Sequence, residues 1–222
     1  MNGASTLPAS RSPIGWHRCA AASSPGSSPR RTERRLTGTA LCFARTSCRP
    51  SRCSLLYAKE VPHRDGEPLG DTVFANTIAA YEALPVSMKR RIEGLKAIHR
   101  YSARRRIADS PRPKLTAEQL AETPDIAHPI VRTHPYTGRK SLYVTAGECA
   151  GIEGMPEDEA IDLIAELDAH CVRSEFLYRH KWQVGDLLMW HNATSMHLAI
   201  CDYALPQRRL MHRTTVIGTV PF

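Results

Sequence analysis

Residues 182–222 read WQVGDLLMWHNATSMHLAICDYALPQRRLMHRTTVIGTVPF, a segment that alternates short apolar runs with turn residues as consecutive β-strands do. Gly185-Asp186 supplies a turn. Leu187–Trp190 is an apolar run of strand length, and His191-Asn192 makes a polar break before a second run from Met196 to Ile200. Because side chains alternate across a strand, His197 and Ala199 share one face while Met196, Leu198 and Ile200 take the other. The histidine is therefore placed on the less apolar face. Pro206 falls in the loop 202–207, where no ladder donor is needed, and Arg208–Ile217 resumes as a strand with Arg209, Met211, Arg213 and Thr215 on one side. At roughly 3.3 Å per residue the two arginines stand about 13 Å apart, far enough to hold two different anions. A planar guanidinium meets a carboxylate or sulfonate bidentately and stays charged. Taken alone these residues are ordinary, since a strand histidine is more often a satisfied polar side chain than a metal ligand and strand arginines usually face water.

Four upstream segments extend the pattern: SLLYAKEVP at 54–62, GDTVFANTIAAYEALP at 70–85, KRRIEGLKAIH at 89–99 and HPIVRTHPYTGRKSLYV at 128–144. In this order, and with the Gly-Asp, Trp, Asn, His, Gln-Arg-Arg and His-Arg sequence of the tail, they resemble the taurine dioxygenase and 2,4-dichlorophenoxyacetate dioxygenase family of Fe(II)- and 2-oxoglutarate-dependent oxygenases. The resemblance covers about residues 54–222. It implies a mainly β fold with flanking helices, a double-stranded β-helix (a cupin-like jelly roll) that is incomplete at the N-terminus. It also implies roles for particular residues. His197 looks like the distal histidine of an iron-binding facial triad, whose two histidines and one carboxylate leave positions for a bidentate 2-oxo acid and for dioxygen. Arg209 is similar to the arginine that clamps the distal carboxylate of 2-oxoglutarate, and Thr72 to the threonine that supports the same group. Arg213 resembles the second arginine, near the substrate anion. The implied cofactors are Fe(II), 2-oxoglutarate as co-substrate and O2. No protein side chain is assigned as a catalytic acid or base, because the bond-making chemistry belongs to the metal and the co-substrate while the protein orients and shields. His191 departs from the family pattern, in which many members carry Asp before the Asn, and is read as structural.

The family supplies its other iron ligands as His-x-Asp, usually after Trp and shortly before the strand that matches SLLYAKEVP. Nothing of that form stands there. His63-Arg64-Asp65 has the spacing but follows that strand, inside the turn-rich PHRDGEPLGD, and is expected to be a surface loop. His17 follows Trp16, yet Cys19 occupies the place of the acid.

Composition separates the two parts of the chain. Residues 1–53 contain nine Arg, no Lys and a single acid, Glu33, whereas 54–222 contain 21 basic and 21 acidic residues, so the whole +8 charge comes from the first quarter. A basic arm for nucleic acid and an Arg- and Ser-rich transit peptide are two readings of that quarter. Neither accounts for Cys19, Cys42, Cys48 and Cys53 in a segment without periodicity. The preferred expectation is a stretch translated out of frame from a GC-rich gene, 1–53 being unstructured and 54–222 a partial dioxygenase domain. Thr37-Gly38-Thr39 can be encoded ACT-GGC-ACN, and a shifted reading of those bases contains TGG-CAC, Trp-His, although the acid would need a further insertion or deletion.

The remainder reads as one domain with length for a core and no apolar run of about 18 residues. Seven cysteines without CxxC spacing argue against a disulfide framework and for a cytoplasmic setting. Helices are expected at Asn76–Leu84, at Ser87–His99 with Ser87 as cap, and from Pro156 to about Val172 with Ile161, Ile164, Leu167 and Cys171 as its apolar stripe. Strands are expected at about 54–60, 130–133, 141–145, 176–182 and in the tail. Arg104–Arg106 reads as a solvated face, and 111–128 as a loop near the active site. The expected partner is a small anionic organic substrate, with no nucleic acid, no membrane, and room for a homo-oligomer. A catalytically inactive jelly-roll remnant and a nucleic-acid-binding protein with a basic arm are the rival readings.

Overall fold

The computed structural model describes residues 48–100, 116, 118 and 124–222. Trp16-His17, Cys19, Cys42, Arg104–Arg106 and most of 111–128 lie outside the described residues.

Strand β1 runs from Ser51 to Glu60, so the folded part takes in Ser51, Arg52 and Cys53, three residues ahead of the boundary expected at 53/54. These residues are held by pairing: Ser51 faces Ile217 and Cys53 faces both His191 and Val216. A two-residue hairpin follows, β2 (His63–Arg64) with β3 (Glu67–Pro68), and then β4 (Thr72–Asn76). Further along lie β10 (Leu177–His180), β11 (Leu187–His191), β12 (Ser195–Ala199) and β13 (Leu210–Ile217). Two antiparallel sheets result, ordered β11-β1-β13 and β10-β4-β12. They lie face to face, because Phe74 of β4 meets Trp190 of β11 at 5.3 Å and Trp190 meets His197 of β12 at 4.9 Å between ring centroids. Alternation along β1 follows from this packing: Ser54 and Ala58 are buried while Tyr57 and Lys59 face out.

Outside the sandwich, α1 (Thr77–Ala83) begins at Asn76, whose side-chain oxygen accepts from the backbone N–H groups of Ile78 and Ala79 at 3.1 Å. Helix α2 (Val86–Ile92) starts directly after Pro85. The expected helix Ser87–His99 is thus corrected at both ends. Gly94 takes φ +75°, which stops the helix, and Lys96–His99 is strand β5, with Ala97 and His99 buried at period two. It pairs with β6 (Ile126–Pro129) and β9 (Cys149–Ile152), so Ile126–His128 are strand rather than loop. The expected strands at 130–133 and 141–145 are the short pair β7 (Val131–Thr133) and β8 (Lys140–Leu142). The strand expected at 176–182 is confined to β10, entered through a 3-10 turn at Ser174–Phe176.

Helix α3 (Glu157–Cys171) carries Glu157, Asp158 and Glu159 in its first turn, against the positive end of its dipole. Its buried stripe is Ala160, Leu163, Ile164, Leu167 and Cys171; Ile161, expected to belong to it, is exposed because the stripe runs at i, i+3, i+4 and i+7 from Ala160. This stripe packs into the larger core with Ala80, Leu84, Ile92, Ala97, Ile130 and Leu142. A second, smaller core gathers Ala58, Val61 and Trp182 with Leu56, Leu188 and Met211 between the sheets. Among the described residues no helix is long and apolar enough to cross a membrane.

Candidate functional site

Trp182 is the anchor of the candidate site. It is fully buried, and its indole N–H donates to the hydroxyl of Thr72, the first residue of β4, at 3.0 Å. The guanidinium of Arg209 lies over the same indole, 5.7 Å from the ring centroid. Thr72 and Arg209, far apart in sequence, are therefore brought together on one aromatic side chain. Nε and Nη2 of Arg209 are buried and have no hydrogen-bond partner among the described residues. Burial pulls the guanidinium pKa below its ordinary value, countered by Tyr203 and Cys201, yet an arginine keeps its charge. A buried cation with two unengaged donors is costly unless an anion meets them. Burial in turn raises the pKa of Tyr203, and Arg209 opposes that rise.

Gly70 makes room for this arginine. A Cβ there would lie 2.9 Å from Cδ and Nε of Arg209 and 3.1 Å from the Tyr203 ring, and its φ of +77° disfavours any side chain. Its N–H donates to Asp202 Oδ1 at 2.8 Å, which ties the β4 entry to the loop leading to Arg209. The hairpin at 63–68 braces that loop: Arg64 donates to the carbonyl of Asp202, and Gln207 donates to the carbonyl of His63. Asp65 and Gly66 both have positive φ at its tip, the geometry of a tight two-residue turn, and His63, Arg64 and Asp65 are exposed.

β13 begins at Leu210 rather than at Arg208; Arg209 just ahead of it and Met211 and Arg213 within it are partly buried on one side, as the alternation predicts, whereas Thr215 is exposed. Arg213 donates through Nη2 to Ser54 Oγ at 3.2 Å, and its buried Nε has no partner among the described residues. Burial lowers its pKa. Ser54 also accepts from Asn192 Nδ2 at 3.0 Å, and Asn192 reaches Ser51 Oγ at 2.9 Å. The Asn of the tail motif thus ties down the first residues of β1 and, through Ser54, the second arginine.

His197 stacks on Phe74 at 5.8 Å and meets Trp190 at a tilt at 4.9 Å, the three rings forming one cluster. Its face is aromatic, which corrects the picture of a merely less apolar side: Trp190 reaches it from the opposite sheet. Among the described residues no three His, Cys, Asp or Glu side chains come together as a metal cluster. His191 ends β11, with Nδ1 at 3.2 Å from Thr194 Oγ1 and its ring 4.7 Å from that of His134. Burial, then the charges of His134, Arg132 and Arg52, lowers its pKa to about 4.

Sequence reasoning singled out Thr72, Arg209 and Arg213 but not Trp182, Tyr203 and Gly70 beside Arg209 or Ser54 beside Arg213. A Trp three residues before Gly-Asp and a Gly immediately before Asp-Thr were the available signals; Tyr203 had none.

Comparison with known proteins adds the lineage. The sequence profile of the taurine catabolism dioxygenase TauD, TfdA family matches residues 45–215. The chain is 38% identical over 167 residues to the alpha-ketoglutarate-dependent 2,4-dichlorophenoxyacetate dioxygenase of Cupriavidus pinatubonensis, covering 75% of this chain and 55% of that protein. It is 34% identical over 157 residues to the alpha-ketoglutarate-dependent sulfate ester dioxygenase of Pseudomonas putida, covering 68% and 52%. The crystal structure of AAD-2 in complex with Mn(II) and N-oxalylglycine superposes with a TM-score of 0.71 at 35% identity, over 80% of this chain and 68% of that one. A taurine dioxygenase from Burkholderia xenovorans gives 0.67 at 31%, over 80% and 56%. The chain spans about half the length of the curated relatives it matches. With a match over most of its length and several relatives above 30% identity, the chain belongs to the TauD, TfdA dioxygenase family.

Proposed function

We propose that Arg209 and Thr72 hold the distal carboxylate of 2-oxoglutarate, and that the protein serves Fe(II)- and 2-oxoglutarate-dependent oxidation of a small anionic organic molecule. The observation that carries this reading is the buried guanidinium of Arg209, with Nε and Nη2 unengaged among the described residues and the Thr72 hydroxyl beside the same indole. The indole N–H occupies a lone pair of that hydroxyl, which leaves the Thr72 hydrogen to donate to a carboxylate oxygen. Arg213, whose buried Nε has no partner among the described residues, is assigned to the anionic group of the substrate, a carboxylate or a sulfonate. The relatives named for 2,4-dichlorophenoxyacetate and for sulfate esters support an anionic substrate. The fold in this reading is the double-stranded β-helix, a cupin-like jelly roll lacking part of its N-terminal side, with the residues ahead of the family match at 45–215 outside the dioxygenase domain. The setting is the cytoplasm, and O2 is the second co-substrate.

The metal differs from the co-substrate. His197 is assigned as one Fe(II) ligand, but the described donors do not by themselves make an iron site. That observation favours a second reading, a 2-oxoglutarate-binding protein without catalytic iron. Calorimetric titration with 2-oxoglutarate tests the shared part: binding is expected, and Arg209→Met weakens it at least about tenfold, the worth of a charge-assisted hydrogen-bond pair. Equal affinity of the two proteins overturns the assignment. Succinate release on adding Fe(II) then separates the readings, since the second predicts none.

A further inference from the structure

Outside the cleft, three segments bring basic groups together at one corner of the β11-β1-β13 sheet. Arg52 lies at the start of β1, His191 at the end of β11, and His134 directly after β7. The ladder makes the first two neighbours, since Cys53 pairs with His191 and the Asn192 N–H donates to the Arg52 carbonyl at 2.7 Å. The His134 ring lies 4.7 Å from that of His191 and 6.0 Å from that of Tyr136, and the Arg52 guanidinium lies 5.1 Å from the Tyr136 centroid. Tyr136 therefore contacts both Arg52 and His134. These groups offer donors and lack an anion. Nδ1 of His134 accepts from the backbone N–H groups of Tyr136 and Thr137, at 3.3 and 3.2 Å, so its own ring proton sits on Nε2. Nδ1 of His191 is engaged with Thr194 Oγ1, which leaves Nε2 for another partner. The Arg52 guanidinium has no carboxylate partner among the described residues. Glu82, which reaches the same loop, is taken by Nε and Nη2 of Arg139, and the Phe222 oxygen by the backbone N–H of Thr133. After burial itself, the strongest influences on His191 are the positive charges of His134, Arg132 and Arg52. Like charges gathered in this way oppose folding unless a counter-ion joins them.

We infer that this corner is a binding site for a free tetrahedral oxyanion, sulfate or inorganic phosphate, held by the Arg52 guanidinium and the Nε2–H groups of His134 and His191. The arginine fork meets two oxygens of such an ion, and imidazole N–H groups from two other segments meet the rest, a pattern of donors that a spherical halide does not match. At neutral pH the arginines supply the charge and the imidazoles supply the donors. The bound ion ties β1, β11 and the turn after β7 to one another. Asn192, next to His191, holds Ser51 and Ser54, so occupancy also steadies the start of β1. The site does not depend on the roles given to Arg209 and Arg213.

Histidine-ring NMR on the full chain tests this, with the Hε1 resonances of His134 and His191 assigned by their loss in His134→Gln and His191→Gln. Sodium sulfate and sodium phosphate are titrated at neutral pH against sodium chloride of matched ionic strength. Either oxyanion is expected to move both resonances with one common Kd, while chloride leaves them in place. Arg52→Gln should weaken the ion at least about tenfold, the loss of a charge-assisted fork. His191→Asp supplies a carboxylate from the chain itself and should abolish the oxyanion response of His134. Arg209→Met should leave both responses unchanged, which separates this corner from the cleft. Dispersion of the remaining histidine resonances reports that each variant is folded. No movement with either oxyanion, equal movement with chloride, an unchanged Kd in Arg52→Gln, a His134 response that survives His191→Asp, or one that vanishes in Arg209→Met each overturns the proposal.

Discussion

Arg209 owes its position to two neighbours that tolerate no change of shape, Gly70 on one side and Trp182 on the other. Gly70→Ala combines a left-handed backbone with a Cβ pressed against the guanidinium stem, so it should cost roughly 1–3 kcal/mol of stability. It should also weaken 2-oxoglutarate binding about as much as Arg209→Met does; denaturant titration and calorimetry check the two effects. His191 controls a different property. Its folded pKa, about 4, lies below the ordinary value of 6.5 because burial and the charges of His134, Arg132 and Arg52 oppose protonation. The unfolded chain therefore takes the proton first, and the stability contribution, complete above about pH 6.5, is lost as the pH falls towards 4. His191→Gln should lose less Tm than the native chain between pH 7.5 and pH 5, measured by thermal denaturation. Thr72 and Arg209 could be singled out in the sequence through their resemblance to family motifs, and the fold sets both against Trp182. Their supports could not, since a glycine needed for clearance or a tyrosine beside a guanidinium carries no signature until the loops are folded.

Elements show where local pattern and tertiary structure part. Asn76 is a legible cap, and Asn76→Ala should destabilise by about 1 kcal/mol in chemical denaturation, because two backbone donors lose their acceptor. The next helix was misread because Met88, Ile92 and Leu95 continue a helical spacing past the true end at Ile92. Gly94 was the available stop signal, and β5 exists because β6 and β9 lie on either side to receive it, a partnership no local window contains. The His63-Arg64-Asp65 motif illustrates the reverse case: its turn residues outweighed its metal-like spacing, and it forms an exposed hairpin that braces the loop before Arg209.

At the scale of the whole molecule, the facing sheets were legible from the order of several motifs, while the pairing of strands was not. Strand order is set by which apolar faces meet, and that depends on contacts such as Phe74 with Trp190 that span more than a hundred residues. The central strands β1 and β4 are paired on both sides, whereas β12 and β13 are paired on one. Hydrogen exchange should therefore protect Ala58 and Phe74 more strongly than alternate amides of β13, by the difference between global and edge opening. Uniform protection across β13 in the isolated chain would mean that its outer edge is already covered.

The burial of Trp182 beneath Arg209 also has an optical side. An indole whose N–H is committed to Thr72 and whose π-face lies under a cation emits in a field set chiefly by that cation. A carboxylate arriving at the guanidinium offsets that field, so Trp182 emission becomes a label-free gauge of occupancy at Arg209, with Trp190, tilted against His197, as a second emitter that reports on the histidine.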